Sequence, residues 1–197
     1  TVTYIGSSAF EGCTNLVGVT IPDGVANVNS NTFYKCSNLK DVSFGENVTI
    51  IGNSAFSNCG SLESIEIPDS VTEIGIWAFG NCSELVEVKL SKHLKKMEYC
   101  AFGNCNKLTE VEIPKSLEEC TDDDWFSDRE RDCYLSGPFY NCQELKKITF
   151  ETGTTRIAKN LFRKCYGIEE IEIPDTVTSI DSYAFENCKN LKDVKIG

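Results

Sequence analysis

The run Ile67-Pro68-Asp69-Ser70-Val71-Thr72-Glu73-Ile74-Gly75, continued by Ala78-Phe79-Gly80-Asn81-Cys82 and then by Leu85, Val88 and Leu90, is one copy of a unit that fills the chain. Inside it, Glu87-Val88-Lys89-Leu90 alternates polar and apolar residues, the pattern of a strand with one buried face. Pro68 directly follows the equivalent strand pattern of the preceding copy. Proline has no N–H to give to a ladder, so it ends the strand and opens a turn. Val71 and Ile74 then send two more apolar side chains inward. Segments such as Ser54-Ala55-Phe56-Ser57-Asn58-Cys59 are too short for a free helix and are expected to form a single helical or 3-10 turn.

Working outward from residues 67–90, the same pattern recurs in both directions. Phenylalanine stands at Phe10, Phe33, Phe56, Phe79 and Phe102, then at Phe139, Phe162 and Phe185. A cysteine follows each by three residues, from Cys13 to Cys188, and a large aliphatic follows each cysteine by three, from Leu16 to Leu191. The strand positions Val19, Val42, Ile65, Val88, Val111, Ile148, Ile171 and Val194 complete eight copies in register. One short strand per 23-residue unit cannot pair with itself, so it pairs with its copy in the next unit, giving a parallel sheet built by stacking. The expected architecture is one repeat solenoid over residues 1–197. It has eight short strands near 18–21, 41–44, 64–67, 87–90, 110–113, 147–150, 170–173 and 193–196, forming one continuous curved sheet on the concave side. Short turns and helical turns lie on the convex side. Both ends fall mid-repeat, as expected of a piece of a longer chain.

These residues resemble a known family. Residues 67–75 followed by Ala78-Phe79-Gly80-Asn81-Cys82 look like the BspA-type leucine-rich repeat, and the resemblance runs over nearly the whole chain. It implies a curved leucine-rich-repeat solenoid, and a surface or secreted protein with a role in binding or adhesion. It names no ligand and carries no catalytic residues.

Composition narrows the partners. The chain has 197 residues and a formal net charge of −11. An acidic surface repels phosphate backbones, so nucleic acid and anionic membranes are poor partners. No apolar run approaches the roughly 20 residues that span a bilayer. Eleven cysteines are present. Eight of them recur at the repeat spacing, which puts them about 4.8 Å apart with parallel inward side chains. That orientation is wrong for serial disulfides and right for small buried hydrophobes. The other three, Cys100, Cys120 and Cys133, are the thiols expected to stay reactive in the native chain.

Register breaks after Leu117. Cys120 takes the isoleucine position, and eighteen residues, 121–138, then precede Phe139 where four are usual, an insertion of 14. Thr121 before Asp122-Asp123-Asp124 reads as a helix start, since acidic side chains favour the positive end of the helix dipole. A helix over about 122–132 would bring Trp125, Phe126 and Arg129 near one face. Trp125 stands where the repeat phenylalanine would be without the insertion. It either fills that core slot or presents an exposed contact for a partner, and both readings stay open. Cys120 and Cys133 flank the insertion as a candidate disulfide pair for an oxidising setting.

No motif points to chemistry. The one histidine, His93, lies in a turn; no phosphate loop, metal-ligand spacing or partnered thiol occurs, so no cofactor, metal or enzymatic activity is expected. The strand face carries the candidate site instead. Its outward positions gather Glu63, Glu66, Glu87, Glu110 and Glu112 around Lys89 and hold no aromatic residue, which disfavours sugar stacking there and suits a basic protein segment. The expected function is a non-catalytic protein-binding or adhesion module, extracellular or on a cell surface, whose partner is a protein of a host or a neighbouring cell. The alternative is a structural spacer or scaffold that presents another domain.

Overall fold

The computed structural model describes residues 1–120 and 136–197. Eight strands, numbered in chain order, stack along one face: β1 (Gly18–Thr20), β3 (Asp41–Ser43), β5 (Ser64–Glu66), β7 (Glu87–Lys89), β9 (Glu110–Ile113), β11 (Lys147–Phe150), β13 (Glu170–Ile173) and β15 (Asp193–Ile196). A second column of two-residue strands stacks behind it: β2 (Asn27–Val28), β4 (Ile50–Ile51), β6 (Glu73–Ile74), β8 (Lys96–Met97), β10 (Glu119–Cys120), β12 (Arg156–Ile157) and β14 (Ser179–Ile180). Every pairing between them is parallel and joins equivalent positions of neighbouring repeats. The chain is a parallel β-solenoid, as the repeat predicts, and makes about seven turns where the sequence counts eight copies of the repeat. The second column is additional: the inward pair typified by Val71 and Ile74 ends on a short strand of its own.

The long-strand face differs from the expected continuous ladder. Its hydrogen-bonded pairing falls into three segments, β1-β3, β5-β7-β9-β11 and β13-β15. Stacking continues through both breaks because the core carries it. Phe33 and Phe56 stack at 5.2 Å beneath the first break, and Phe139 and Phe162 at 5.7 Å beneath the second. The second column is continuous from β2 to β10 and stops where the insertion enters.

The arm that returns to the long strand is not helical; no helix occurs among the described residues. The reason lies in where the amide groups go. Ala55, Ser57 and Cys59 donate to carbonyls three residues back (3.1–3.2 Å), while the alternate amides of Ser54, Phe56 and Asn58 donate to Ile76, Ala78 and Gly80 of the next coil (2.7–2.8 Å). Half the N–H groups a helix needs are thus committed between coils. The geometry also demands left-handed backbone at two sites per repeat, with φ of 54° at Ser54 and 62° at Asn58. Asparagine tolerates that region best after glycine. This accounts for the asparagines that precede Cys59, Cys82, Cys105, Cys142 and Cys188, all at φ between 55° and 62°. The amide of Asn104 donates to Asn81, and that of Asn141 to Asn104, both at 2.8 Å.

One hydrophobic cluster runs the length of the solenoid. Phe33, Phe56, Phe79, Phe102, Phe139 and Phe162 have no accessible surface and stack ring on ring, centroids 5.1–5.7 Å apart. Their offset packing is the favourable arrangement for aromatic pairs. Beside this column runs the thiol column. Cys36, Cys59, Cys82, Cys105, Cys142 and Cys188 each donate their Sγ–H to the carbonyl of the phenylalanine one coil back, at 3.1–3.4 Å. A cysteine here is small enough for the stack and still gives a carbonyl deep in the core a second partner. Desolvation pushes the thiols of Cys82, Cys142 and Cys188 up to about 12.

Thiol exposure departs from expectation at three cysteines. Cys13 is exposed, because the first coil is covered on one side only and Phe10 beside it is 41% exposed. Cys100 and Cys120, expected to be reactive, are buried. Cys100 lies beside Gly103, against which the Trp77 indole also packs, and Cys120 pairs through its backbone with Met97 in the second column.

Candidate binding face

The middle long strands put their central residue into the core and both flanking residues into solvent. In β5, β7 and β9 the buried residues are Ile65, Val88 and Val111, and Ser64, Glu66, Glu87, Lys89, Glu110 and Glu112 point outward. Glu63, one residue before β5, is exposed as well. The structure therefore brings all six residues of the acidic candidate site onto one surface.

Their electrostatics are uneven. Lys89 is bonded to Glu66, and this carboxylate holds the Lys89 ammonium above its ordinary range. Lys147 reaches Glu110 at 2.5 Å. Among the described residues, Glu63, Glu87 and Glu112 take part in none of the ion pairs. Glu87 also sits directly opposite Glu110 in the ladder. Like charges placed directly opposite each other on adjacent strands are destabilising. Further along, Glu170 also sits opposite Asp193, but lysines offset the acids there: Glu169 lies 2.8 Å from Lys192 and 3.8 Å from Lys146, and the two ammonium groups hold its carboxyl below the usual range. The negative potential is thus concentrated on the third to fifth coils.

Beside this patch lies a shallow depression of about 610 Å³ lined by Lys89, Leu90, Lys92, Glu112, Pro114, Lys115, Glu151 and Thr152. Glu151 is held there by the Lys115 backbone amide at 3.0 Å and its ammonium at 3.0 Å, which together lower the carboxyl from its usual range. His93 faces the same edge, its Nδ1 3.0 Å from the Asp69 carbonyl. No group of three or more metal-ligating side chains forms among the described residues, and no helix long and apolar enough to cross a membrane occurs among them. The insertion candidates Trp125, Phe126, Arg129 and Cys133 lie outside the described residues. Cys120, the other half of the candidate disulfide, is a buried free thiol.

A family model for the BspA type leucine rich repeat region matches residues 3–130 and 136–197 in six copies. The chain belongs to the BspA-type leucine-rich repeat family. Among solved structures, this BspA-type chain is similar to the T. pallidum leucine-rich repeat protein TpLRR at 26% identity. That match covers 91% of this chain and 69% of TpLRR, with a TM-score of 0.62. It is also similar to the pneumococcal vaccine antigen PcpA at 22% identity, over 100% of this chain and 51% of PcpA, with a TM-score of 0.65. A leucine-rich cell surface protein of Faecalibacterium prausnitzii A2-165 matches at 25% identity over 97% of this chain and 62% of its own, with a TM-score of 0.46. The chain therefore spans between 51% and 69% of these three proteins. No curated protein matches it.

Proposed function

We propose that this chain is a non-catalytic protein-binding module of a surface or secreted protein, and that its long-strand face holds a basic segment of the partner. The carrying observation is the Glu87–Glu110 juxtaposition, with Glu63, Glu87 and Glu112 outside the ion pairs of the described residues. Folding gains nothing from like charges set opposite one another. A cationic partner would relieve the repulsion and meet a field already concentrated on three adjacent coils. The leucine-rich-repeat family supports an interaction role, since stacked repeats build an extended face. The surface or secreted setting, and adhesion to a host or neighbouring-cell protein, are what the family resemblance implies. The pneumococcal vaccine antigen PcpA shares the fold alone.

The test is surface binding of a lysine-rich peptide at two salt concentrations, with the native chain, a Glu63→Lys/Glu87→Lys/Glu112→Lys variant, and a variant lacking residues 122–135. Binding by the native chain should weaken as salt rises, because exposed charges are screened within about 8 Å at physiological ionic strength. The charge reversals should slow association more than they speed dissociation. Loss on deleting 122–135, with the reversals silent, would move the site to the insertion. Binding unchanged in both variants would favour a spacer that presents another domain.

A further inference from the structure

The two breaks in the long-strand ladder share a cause. The last inward position of the strand is aliphatic in six coils, at Ile21, Ile67, Leu90, Ile113, Ile173 and Ile196. In the other two it is phenylalanine, Phe44 and Phe150. Among the described residues the ladder is missing directly after these two coils, between β3 and β5 and between β11 and β13, and nowhere else.

At this position isoleucine is buried and its amide is used: Ile21 donates to Ser43 and Ile67 to Lys89, both at 2.8 Å. Phe44 and Phe150 are only partly buried, and the corresponding bonds, to Glu66 and Glu172, are not made. Size accounts for the difference. Adjacent strands of a ladder lie about 4.8 Å apart. The Phe44 ring instead meets Phe56 of the next coil edge to face, with centroids 5.8 Å apart and planes at 84°. A ring held edge-on across the coil boundary keeps the strand end from settling to ladder spacing.

The opening is one-sided. At the first seam the second column pairs in register, Ile50 with Glu73 and Ile51 with Ile74, and Phe33 stacks on Phe56 at 5.2 Å. At the second seam Arg156 pairs with Ser179 and Ile157 with Ile180. Each seam is thus bonded along one edge and unbonded along the other. The second seam leaves a depression of about 410 Å³ on the long-strand face, lined by Lys147 and Ile148 on one side and by Glu170, Ile171 and Glu172 on the other. Ile148 reaches its wall, whereas the equivalent Val88 and Val111, inside the unbroken ladder, are buried.

We infer that the two seams are hinges whose axis is the second column. The end blocks β1-β3 and β13-β15 swing about them against the central block β5-β7-β9-β11, and so open or close the long-strand face. The acidic residues Glu66, Glu87, Glu110 and Glu112 all stand on strands of the central block, and Glu63 directly precedes it. The acidic site is therefore carried by the rigid part, and the flanking blocks close over what docks there. That closure rests on the protein-binding reading; the hinges themselves do not.

Hydrogen exchange of the free chain, read by NMR, tests the unbonded edges. The Phe44 and Phe150 amides should exchange at least about a hundredfold faster than that of Ile67. A Phe44→Ile/Phe150→Ile variant should bring both toward the Ile67 rate, and isoleucine at this position in five other coils makes the change structurally mild. Spin labels on Asp41→Cys and Glu170→Cys, in a Cys13→Ser/Cys133→Ser background, span both seams. Dipolar distance measurement should give a broad distribution that narrows when the two phenylalanines become isoleucines. Equal exchange at Phe44, Phe150 and Ile67 overturns the inference, as does a distribution that the isoleucines leave unchanged. Adding the lysine-rich peptide should shift the distribution to shorter distances. Peptide binding without that shift overturns closure. Narrowing by the isoleucines in a chain that binds no peptide supports the hinges and removes the binding reading alone.

Discussion

Replacing Phe79 by alanine tests the core reading most directly. The side chain has no accessible surface and lies between Phe56 and Phe102, with ring centroids at 5.3 Å and 5.1 Å and planes within 5° of parallel. Losing the transfer free energy of the ring and leaving a cavity costs about 3–5 kcal/mol for a buried phenylalanine. The cost should fall at the upper end, because neighbours above and below are fixed by their own stacks and backbone ladders and cannot collapse into the gap. Each lost aromatic pair adds about 0.5–1.5 kcal/mol beyond area burial, partly counted in that range already. Phe10 is the internal control. It is 41% exposed and has one stacked neighbour, Phe33, at 5.3 Å. Its replacement should cost less than half as much. Urea unfolding followed by circular dichroism gives both values from the midpoint and slope. In a stacked array the central lesion can also uncouple the two halves, which would appear as a lower slope for Phe79→Ala alone. A loss below about 1 kcal/mol for Phe79→Ala, or equal losses at Phe79 and Phe10, would refute the phenylalanine column as the element that joins the coils.

Thiol chemistry and the asparagine ladder give two further tests. In native buffer Cys13 should label rapidly while the buried cysteines of the repeat column label only as the chain unfolds, and all ten described cysteines should label in denaturant. Burial raises the folded-state values of Cys82, Cys142 and Cys188 to about 12, so these thiols bind their protons more tightly folded than unfolded. Stability is therefore fully present below the unfolded value of about 8.5 and declines above it, by up to about 1.4 kcal/mol per pH unit for each thiol. A urea midpoint that stays flat from pH 8 to 10 would contradict that burial. Asn104→Ala removes two 2.8 Å side-chain bonds and places alanine at φ 60°, whereas Asn104→Gly removes only the bonds. The alanine variant should lose about 2–4 kcal/mol and the glycine variant about 1–2 kcal/mol less than that, by thermal or urea unfolding. Equal losses would mean that the left-handed turn is not under strain.

What was legible in the sequence was whatever obeys the period. The strand, the phenylalanine column and the inward cysteines announce themselves because every coil must present the same side chain at the same height, and the eightfold recurrence states it. Features set by backbone hydrogen bonding were less visible. The two-residue second strands carry too few residues for alternation to show. The turn arm looks like a helical segment because its apolar spacing, alanine-phenylalanine then cysteine, fits one. Only the amide accounting between coils rules the helix out. A signal was nevertheless present. Asn58, Asn81, Asn104, Asn141 and Asn187 precede their cysteines, and a recurring asparagine in a short segment marks left-handed backbone rather than helix. The breaks in the long-strand ladder between β3 and β5, and between β11 and β13, follow Phe44 and Phe150, which the repeat pattern admits as ordinary apolar strand residues.

The outward surfaces divide along the same line. Outward strand positions follow from alternation alone, so the six residues of the acidic face could be named from sequence, including the Lys89–Glu66 neighbours that the structure joins. Which acids lack an ion-pair partner among the described residues could not. Lys147 reaches Glu110 across a gap of 37 residues, and only the pairing of β11 directly with β9 brings the two together. The aromatic row on the turn arm, in which Trp77 meets Tyr140 and Tyr140 meets Tyr166 edge to face, was harder still. Trp77, Tyr140 and Tyr166 occupy three different positions of the repeat, two before the phenylalanine, one after it and one after the cysteine, so no column in the sequence contains them all. They converge because the indole, released sideways by its left-handed backbone, crosses the Gly80 and Gly103 positions to reach the coil beyond. A periodic fold hides its aperiodic surfaces in this way. The residues that depart from the repeat are the ones free to be chosen for something other than stacking, and in this chain they cluster on two faces with opposite chemistry: carboxylates on the strands, and aromatic rings with amide and ammonium groups on the turns.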